Sequence, residues 1–92
     1  ALGLDIHSKQ SRFVNTLDVR GKRAEEVNAL LDQFLDDAIL LSQHEIRILH
    51  GTGEGVLRKV IREKLKSLKA VASFADEHIE RGGSGITVVV LK

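Results

Sequence analysis

From Ala24 to Leu41 the apolar residues Ala24, Val27, Leu31, Phe34, Ala38 and Leu41 recur at steps of three or four, and Leu30 and Leu35 widen the stripe. That spacing predicts an amphipathic helix of about five turns with one face turned inward. Glu25 and Glu26 fall in its first turn, where the helix dipole favours negative charge. Short runs of strand type flank the helix. Asn15 to Val19 reads as a first strand, broken by Gly21. After a Gln43–His44 connection, Glu45 to His50 alternates, with Ile46, Ile48 and His50 on one side and Arg47 and Leu49 on the other. Past the loop of Gly51, Gly53 and Gly55, a second helix follows, with Val56, Leu57, Val60, Ile61, Leu65 and Leu68 as its apolar face. Ala70 to Asp76 reads as a third strand and Glu77 to Gly83 as a polar connection. Ile86 to Leu91 is an unbroken valine-rich run of the kind found in buried central strands. The order βαβαββ, with right-handed crossovers joining parallel strands, places both helices on one face of the sheet as a two-layer α+β sandwich.

A chain of 92 residues supports one domain. Only Phe13, Phe34 and Phe74 are aromatic, so its core is aliphatic. Residues 1–14 lack a clean period and read as a linker or edge segment, with Leu4, Ile6 and Phe13 able to form a short edge strand. There is no cysteine, hence no disulfide or thiolate chemistry. Neither a bilayer-spanning apolar run nor a signal peptide is present, so a cytoplasmic location away from membranes is expected. The chain has no methionine and begins at Ala1, as expected for a piece of a longer protein.

The net charge is only +1, yet it is unevenly distributed. Ala24 to Glu45 carries six carboxylates and no Lys or Arg, whereas Gly55 to Lys69 carries six cations against Glu63 alone. A basic patch on a near-neutral chain suggests a local polyanion site. The same charges also suit a solvated helix face.

Parallel strands gather ligand sites at their carboxyl ends. The first strand ends in Leu17-Asp18-Val19-Arg20-Gly21 and the second in His50-Gly51-Thr52-Gly53-Glu54-Gly55, so neighbouring strands bring Asp18, Arg20 and His50 to one rim. The glycine loop opens the second helix, whose free N–H groups and dipole favour an anion. Arg58, Arg62, Lys66 and Lys69 continue from it at steps of four, four and three, with Lys59 beside them. A phosphate at the loop and a nucleic-acid backbone along the stripe fit this pattern; so does a glycine turn beside a solvated helix. The loop is neither a Walker A motif nor a dinucleotide fingerprint. His50 has a reference pKa suited to proton transfer. His78 reads first as a loop residue, with reach to the same rim as a second possibility; His7 and His44 read as linker and turn residues. No cluster has strong metal-ligand spacing.

Leu17-Asp18-Val19-Arg20-Gly21, His50-Gly51-Thr52-Gly53, Gly55-Val56-Leu57-Arg58 and Gly82-Gly83-Ser84-Gly85-Ile86-Thr87-Val88-Val89 together resemble, in order and spacing, the small MutS-related (Smr) domain from about Thr16 to Leu91. The Leu-Asp-Val-Arg-Gly form is similar to that at the C-terminus of bacterial MutS-like proteins of the second type. The resemblance implies a four-stranded mixed sheet like that of the C-terminal domain of translation initiation factor three. In that fold the last strand inserts between the second and third and runs antiparallel to them. It also implies binding to DNA or RNA, with endonuclease or nicking activity. The parent would be a larger ATP-binding protein, expected as a homodimer, that suppresses recombination or rescues collided ribosomes. By position, Asp18, Arg20 and His50 become the candidate catalytic residues, and Gly51, Thr52, Gly53, Gly55, Arg58, Lys59, Arg62 and Lys66 the candidate binding residues. Thr52 and Glu54 stand where relatives often carry Lys or Arg and Thr, respectively.

Two chemistries follow. On RNA, His50 or Asp18 would activate the 2′-hydroxyl without a metal. On DNA, water must attack, a divalent ion (Mg or Mn) is the usual aid, and Asp18 with Glu54 is the carboxylate pair available. Arg20 would stabilise charge on the phosphate. A binding module without catalysis would use the same residues. A small-molecule regulatory domain is disfavoured by the basic stripe.

Overall fold

The computed structural model describes residues 13–92. The edge strand expected through Leu4 and Ile6 lies outside them. Phe13 stacks on Phe34, with ring centroids 5.4 Å apart. The elements are β1 (Thr16–Asp18), α1 (Ala24–Leu40), β2 (Glu45–Leu49), α2 (Val56–Lys66), β3 (Val71–Asp76) and β4 (Ile86–Leu91). Two single 3₁₀ turns, Ile79–Arg81 and Gly83–Gly85, lie between β3 and β4, the first within the polar connection of Glu77 to Gly83 and the second running from its end to β4.

The sheet order is β1-β2-β4-β3. β1 and β2 are parallel, and β4 runs antiparallel to both β2 and β3, as the resemblance implied. β1 is short, but its ladder continues one residue each way through Arg47 N–H to Asn15 C=O at 2.8 Å and Val19 N–H to Leu49 C=O at 2.9 Å. β4 is central because it is paired on both sides; Thr87, Val89 and Leu91 face the core, whereas Val90 on the opposite face is exposed.

Alternation along the strands decides which face the helices cover. Ile46 and Ile48 of β2 pair in register with Val89 and Thr87 of β4, and all four are fully buried. Ile46, Ile48 and Val89 pack with Val27, Leu31, Leu35 and Ala38 of α1 and with Ile61 and Leu65 of α2 in one aliphatic core. Burying each Val, Leu or Ile of this core contributes about 1.5–3 kcal/mol. Both helices therefore share one face. Across it, Lys64 of α2 reaches Asp32 of α1 at 2.9 Å, so the basic and acidic segments partly neutralise each other.

α1 begins with the Glu26 carboxylate accepting from the Arg23 N–H at 3.3 Å. It ends with Ser42 in the left-handed region at φ 57°, while the N–H groups of Ser42 and Gln43 return to the carbonyls of Ile39 and Ala38. This is a Schellman ending built without glycine, so no glycine marks the stop in the sequence.

Candidate nucleic-acid interface

β1 delivers Asp18 to the sheet rim, and Gly21, at φ 76°, turns the chain so that Arg20 folds back on it. Arg20 donates from its backbone N–H and from Nε to Asp18 Oδ1, both at 3.0 Å, and from Nη2 to Oδ2 at 2.8 Å. This fork holds the Asp18 carboxyl down at about 2, with the side-chain bonds from Arg20 contributing most and its backbone N–H next. Both side chains remain largely exposed. The Arg20 stem lies over the second loop: a Cβ on Gly51 would sit 3.6 Å from Arg20 Cγ. The first two sequence motifs are therefore in contact.

The sign of the Asp18 shift gives a checkable result. A depressed carboxylate contributes above its unfolded value and loses that contribution as pH falls through its folded value. The Asp18 carboxyl carbon, followed by NMR, should titrate near 2 instead of the usual 3.8. In Arg20→Gln its midpoint should rise toward 3.8. A wild-type midpoint near 3.8 would mean the fork does not persist in solution.

The 51–55 loop is shaped by Gly51 at φ 85° and Gly55 at φ 81°. Gly55 caps α2 in the left-handed conformation with no side-chain bond to the first-turn amides. Those N–H groups and the loop border a cleft of about 280 Å³ lined by His50, Gly51, Gly53, Glu54, Val56 and Arg58 among others. The fourth motif supports this loop from below. The Gly85 carbonyl accepts from the N–H groups of both His50, at 3.1 Å, and Gly51, at 3.0 Å. Any side chain at Gly85 would press on Thr52 Cγ2, 3.3 Å from its Cβ.

His50 lies beneath the loop at 6 % exposure. Its Nδ1 is 2.9 Å from the Gly51 carbonyl oxygen and its Nε2 2.8 Å from Thr87 Oγ1. Burial, above all, lowers its pKa below the ordinary 6.5. Arg62 donates from Nε and Nη2 to the same Thr87 hydroxyl, at 3.3 and 3.2 Å. Arg58 and Arg62 also converge on Asp76 Oδ1, at 2.9 and 2.5 Å, and hold that carboxyl below its usual range. The Arg62 guanidinium sits 5.4 Å above the centre of the Phe74 ring.

The Smr domain model matches residues 17–92. The chain belongs to the Smr domain family. Relatives include the endonuclease MutS2 of Helicobacter pylori, 49% identical over 75 residues, covering 82% of this chain and 10% of that protein. The endonuclease MutS2 of Thermus thermophilus is 42% identical over 90 residues, covering 98% of this chain and 12% of that protein. The chain thus spans about a tenth of the length of these curated relatives. The crystal structure of the Smr domain of Thermus thermophilus MutS2 superposes with a TM-score of 0.83 at 44% identity, covering 86% of this chain and 99% of that one. YdaL, a stand-alone small MutS-related protein of Escherichia coli, shares the fold with a TM-score of 0.81 at 21% identity, covering 85% of this chain and 64% of that one.

Within this Smr domain the sequence-derived candidates separate into groups. Arg20, forked onto Asp18, meets Gly51 at the rim, and Thr52, Gly53 and Glu54 are exposed beside them. His50 lies underneath, with both ring nitrogens against protein groups. The basic stripe divides: Lys59 and Lys66 are exposed, whereas Arg58 and Arg62 turn to Asp76. His78 caps the Ile79–Arg81 turn by accepting from the Glu80 N–H at 3.2 Å. The sequence reading missed Asp76 and Thr87. They are aligned partners on β3 and β4, and only the strand order sets Thr87 against His50 and Asp76 against Arg62. The donors for a resident divalent ion are not assembled among the described residues. No group of three or more His, Asp or Glu side chains is close enough to hold one, and both Asp18 oxygens are taken by Arg20.

Proposed function

We propose that this domain binds DNA or RNA at the rim formed by Arg20 and the 51–55 loop, and that it cleaves a phosphodiester there. The observation that carries the reading is the Arg20 guanidinium, exposed and fixed in orientation by Asp18, with its stem laid over Gly51. A guanidinium held this way keeps free N–H donors for the non-bridging oxygens of a phosphate. The uncapped first turn of α2 offers a second set of donors one loop away. Charge that builds on the phosphate oxygens during attack is stabilised by groups already in place.

On RNA the 2′-oxygen attacks the adjacent phosphorus and the 5′-oxygen of the next nucleotide leaves. The products are a 2′,3′-cyclic phosphate and a 5′-hydroxyl. The 2′-proton needs an acceptor, and the departing 5′-oxygen takes a proton from solvent water. Asp18, at about 2 and already paired, is a poor base, and its place is to hold Arg20. Glu54 is an exposed carboxylate on the cleft wall with no ion-pair partner among the described residues, and it is the acceptor we assign. DNA lacks that internal nucleophile and would require activated water. In a longer protein such as its MutS2 relatives, the domain would bring this site to DNA or RNA, ribosomal RNA included, in the cytoplasm.

A second reading is favoured by one observation. His50 Nδ1 and Nε2 both face protein groups, which leaves Glu54 alone for proton transfer and suits a module that binds without cutting. Cleavage of labelled single-stranded RNA and duplex DNA by the purified domain, with and without chelator, separates the two.

Binding itself has a distinct signature. With about three phosphates neutralised, affinity should fall roughly 20- to 40-fold between 50 and 200 mM salt. Arg20→Ala should reduce the logarithmic slope by about 0.7–0.9. Affinity that does not respond to salt would remove the phosphate-contact reading.

A further inference from the structure

Thr87 is a fully buried hydroxyl in a central strand otherwise made of aliphatic residues. A hydroxyl in such a place costs stability unless it is bonded on all sides, and here the bonding is directional. A guanidinium only donates, so Thr87 Oγ1 accepts from Arg62 at both contacts. Its one hydrogen is then left for His50 Nε2 at 2.8 Å. At the other side of the ring the Gly51 carbonyl only accepts, so Nδ1 must carry a proton. A doubly protonated ring is opposed first by burial and then by the neighbouring Arg62 and Arg58 charges, against which the bond to the Gly51 carbonyl and, less, Asp76 offer partial compensation. These bond directions call for a ring protonated at Nδ1 and bare at Nε2.

We propose that Thr87 is a positioning residue for the phosphate loop: its hydroxyl, aimed by Arg62, holds His50 in the tautomer that clamps the Gly51 carbonyl, and so sets the loop that meets Arg20. Asp76 anchors Arg62 from the β3 end, making the chain Asp76–Arg62–Thr87–His50–Gly51 continuous. Arg62 thereby acts as a support of the loop, with Arg58 joined to it through Asp76, and Lys59, Lys66 and Lys69 remain as the displayed cations. The functional part of this inference rests on the reading of the loop as a phosphate contact; the tautomer does not.

Two measurements test it. In the ¹⁵N-labelled domain at pH 7, long-range correlations within the imidazoles report protonation at each nitrogen. His50 should show a protonated Nδ1 and an unprotonated Nε2. Thr87→Val keeps the branched shape and removes the hydroxyl; Thr87→Ser keeps the hydroxyl. The valine variant leaves Nε2 without its donor, so its Nε2 resonance should move away from the wild-type position, and it should bind a single-stranded RNA 20-mer and a DNA duplex of the same sequence about 5- to 10-fold more weakly. The serine variant should retain both. A wild-type His50 protonated at Nε2 overturns the proposal, as does a folded Thr87→Val domain with unchanged spectrum and affinity. If the wild type binds neither oligonucleotide, the binding reading fails, while the imidazole spectrum still decides whether Thr87 sets the tautomer.

Discussion

Asp18→Asn is expected to lower phosphodiester cleavage about 100-fold while leaving oligonucleotide affinity within about threefold, because a reacting group displaced by an ångström costs that much rate. Asparagine preserves the size of the side chain and one acceptor. It removes the charge and one of the two oxygens that hold the Arg20 fork, both of which the 3.0 and 2.8 Å bonds show in use. Arg20 then still attracts phosphate but is no longer aimed. Arg20→Ala should lower both quantities, affinity by about tenfold, since it deletes the donor instead of misaligning it. The measurement is single-turnover cleavage of labelled RNA and duplex DNA alongside binding of the same substrates. A parallel preparation of Asp18→Asn controls for contaminating nuclease. If that variant cuts as fast as the wild type, or if the wild-type domain cuts neither substrate, the non-catalytic reading prevails. RNA cleavage that survives chelator would favour attack by the 2′-hydroxyl.

Gly82→Ala should be the most damaging of the glycine substitutions, at about 2–4 kcal/mol. Gly82 sits at φ 127°, a conformation that costs an L side chain about 1–3 kcal/mol. Its Cβ would also fall 2.5 Å from Ile86 Cδ1 and 3.1 Å from Cγ1. Rotating Ile86 away relieves the overlap at about 0.5–1.5 kcal/mol and disturbs the first residue of the central strand. For a domain of this size the loss corresponds to a fall in Tm of roughly 10–25 °C. Gly53→Ala is the matched control: its backbone is not left-handed and nothing lies within 4 Å of a Cβ there. It should unfold within about 3 °C of the wild type, under 1 kcal/mol. Equal melting temperatures for Gly82→Ala and the wild type would show that the 82–85 turn does not support the loop as the Gly85 carbonyl bonds indicate.

Local patterning was enough to define the elements. The three- and four-residue spacing from Ala24 to Leu41, the alternation from Glu45 to His50 and the valine run after Gly85 each match an element within one or two residues. These signals are local: the side-chain period of an element reports which of its faces is buried, whatever lies opposite. The rim was legible for the same reason, since Asp18, Arg20 and the 51–55 loop all end neighbouring parallel strands. Other features left no local trace. The end of α1 at Ser42 carries no glycine, and the two 3₁₀ turns fall within a polar stretch. The stripe Arg58, Arg62, Lys66 looked uniform along the helix. Its first two members turn to Asp76 because β3 lies beside β4, an arrangement set by strand order and not by spacing.

The sequence by itself thus determined the kinds of element, their order, the aliphatic core and the motifs that mark the family, all properties of residues close together in the chain. Tertiary structure alone decided what those residues do to one another. It buried His50 and set Thr87, 37 positions away, against its Nε2. It also drew Arg62 inward onto Thr87 and Asp76, 25 and 14 positions away. Such contacts depend on which strands become neighbours and on the direction in which a hydroxyl or guanidinium can donate. No pattern within a single helix or strand carries either.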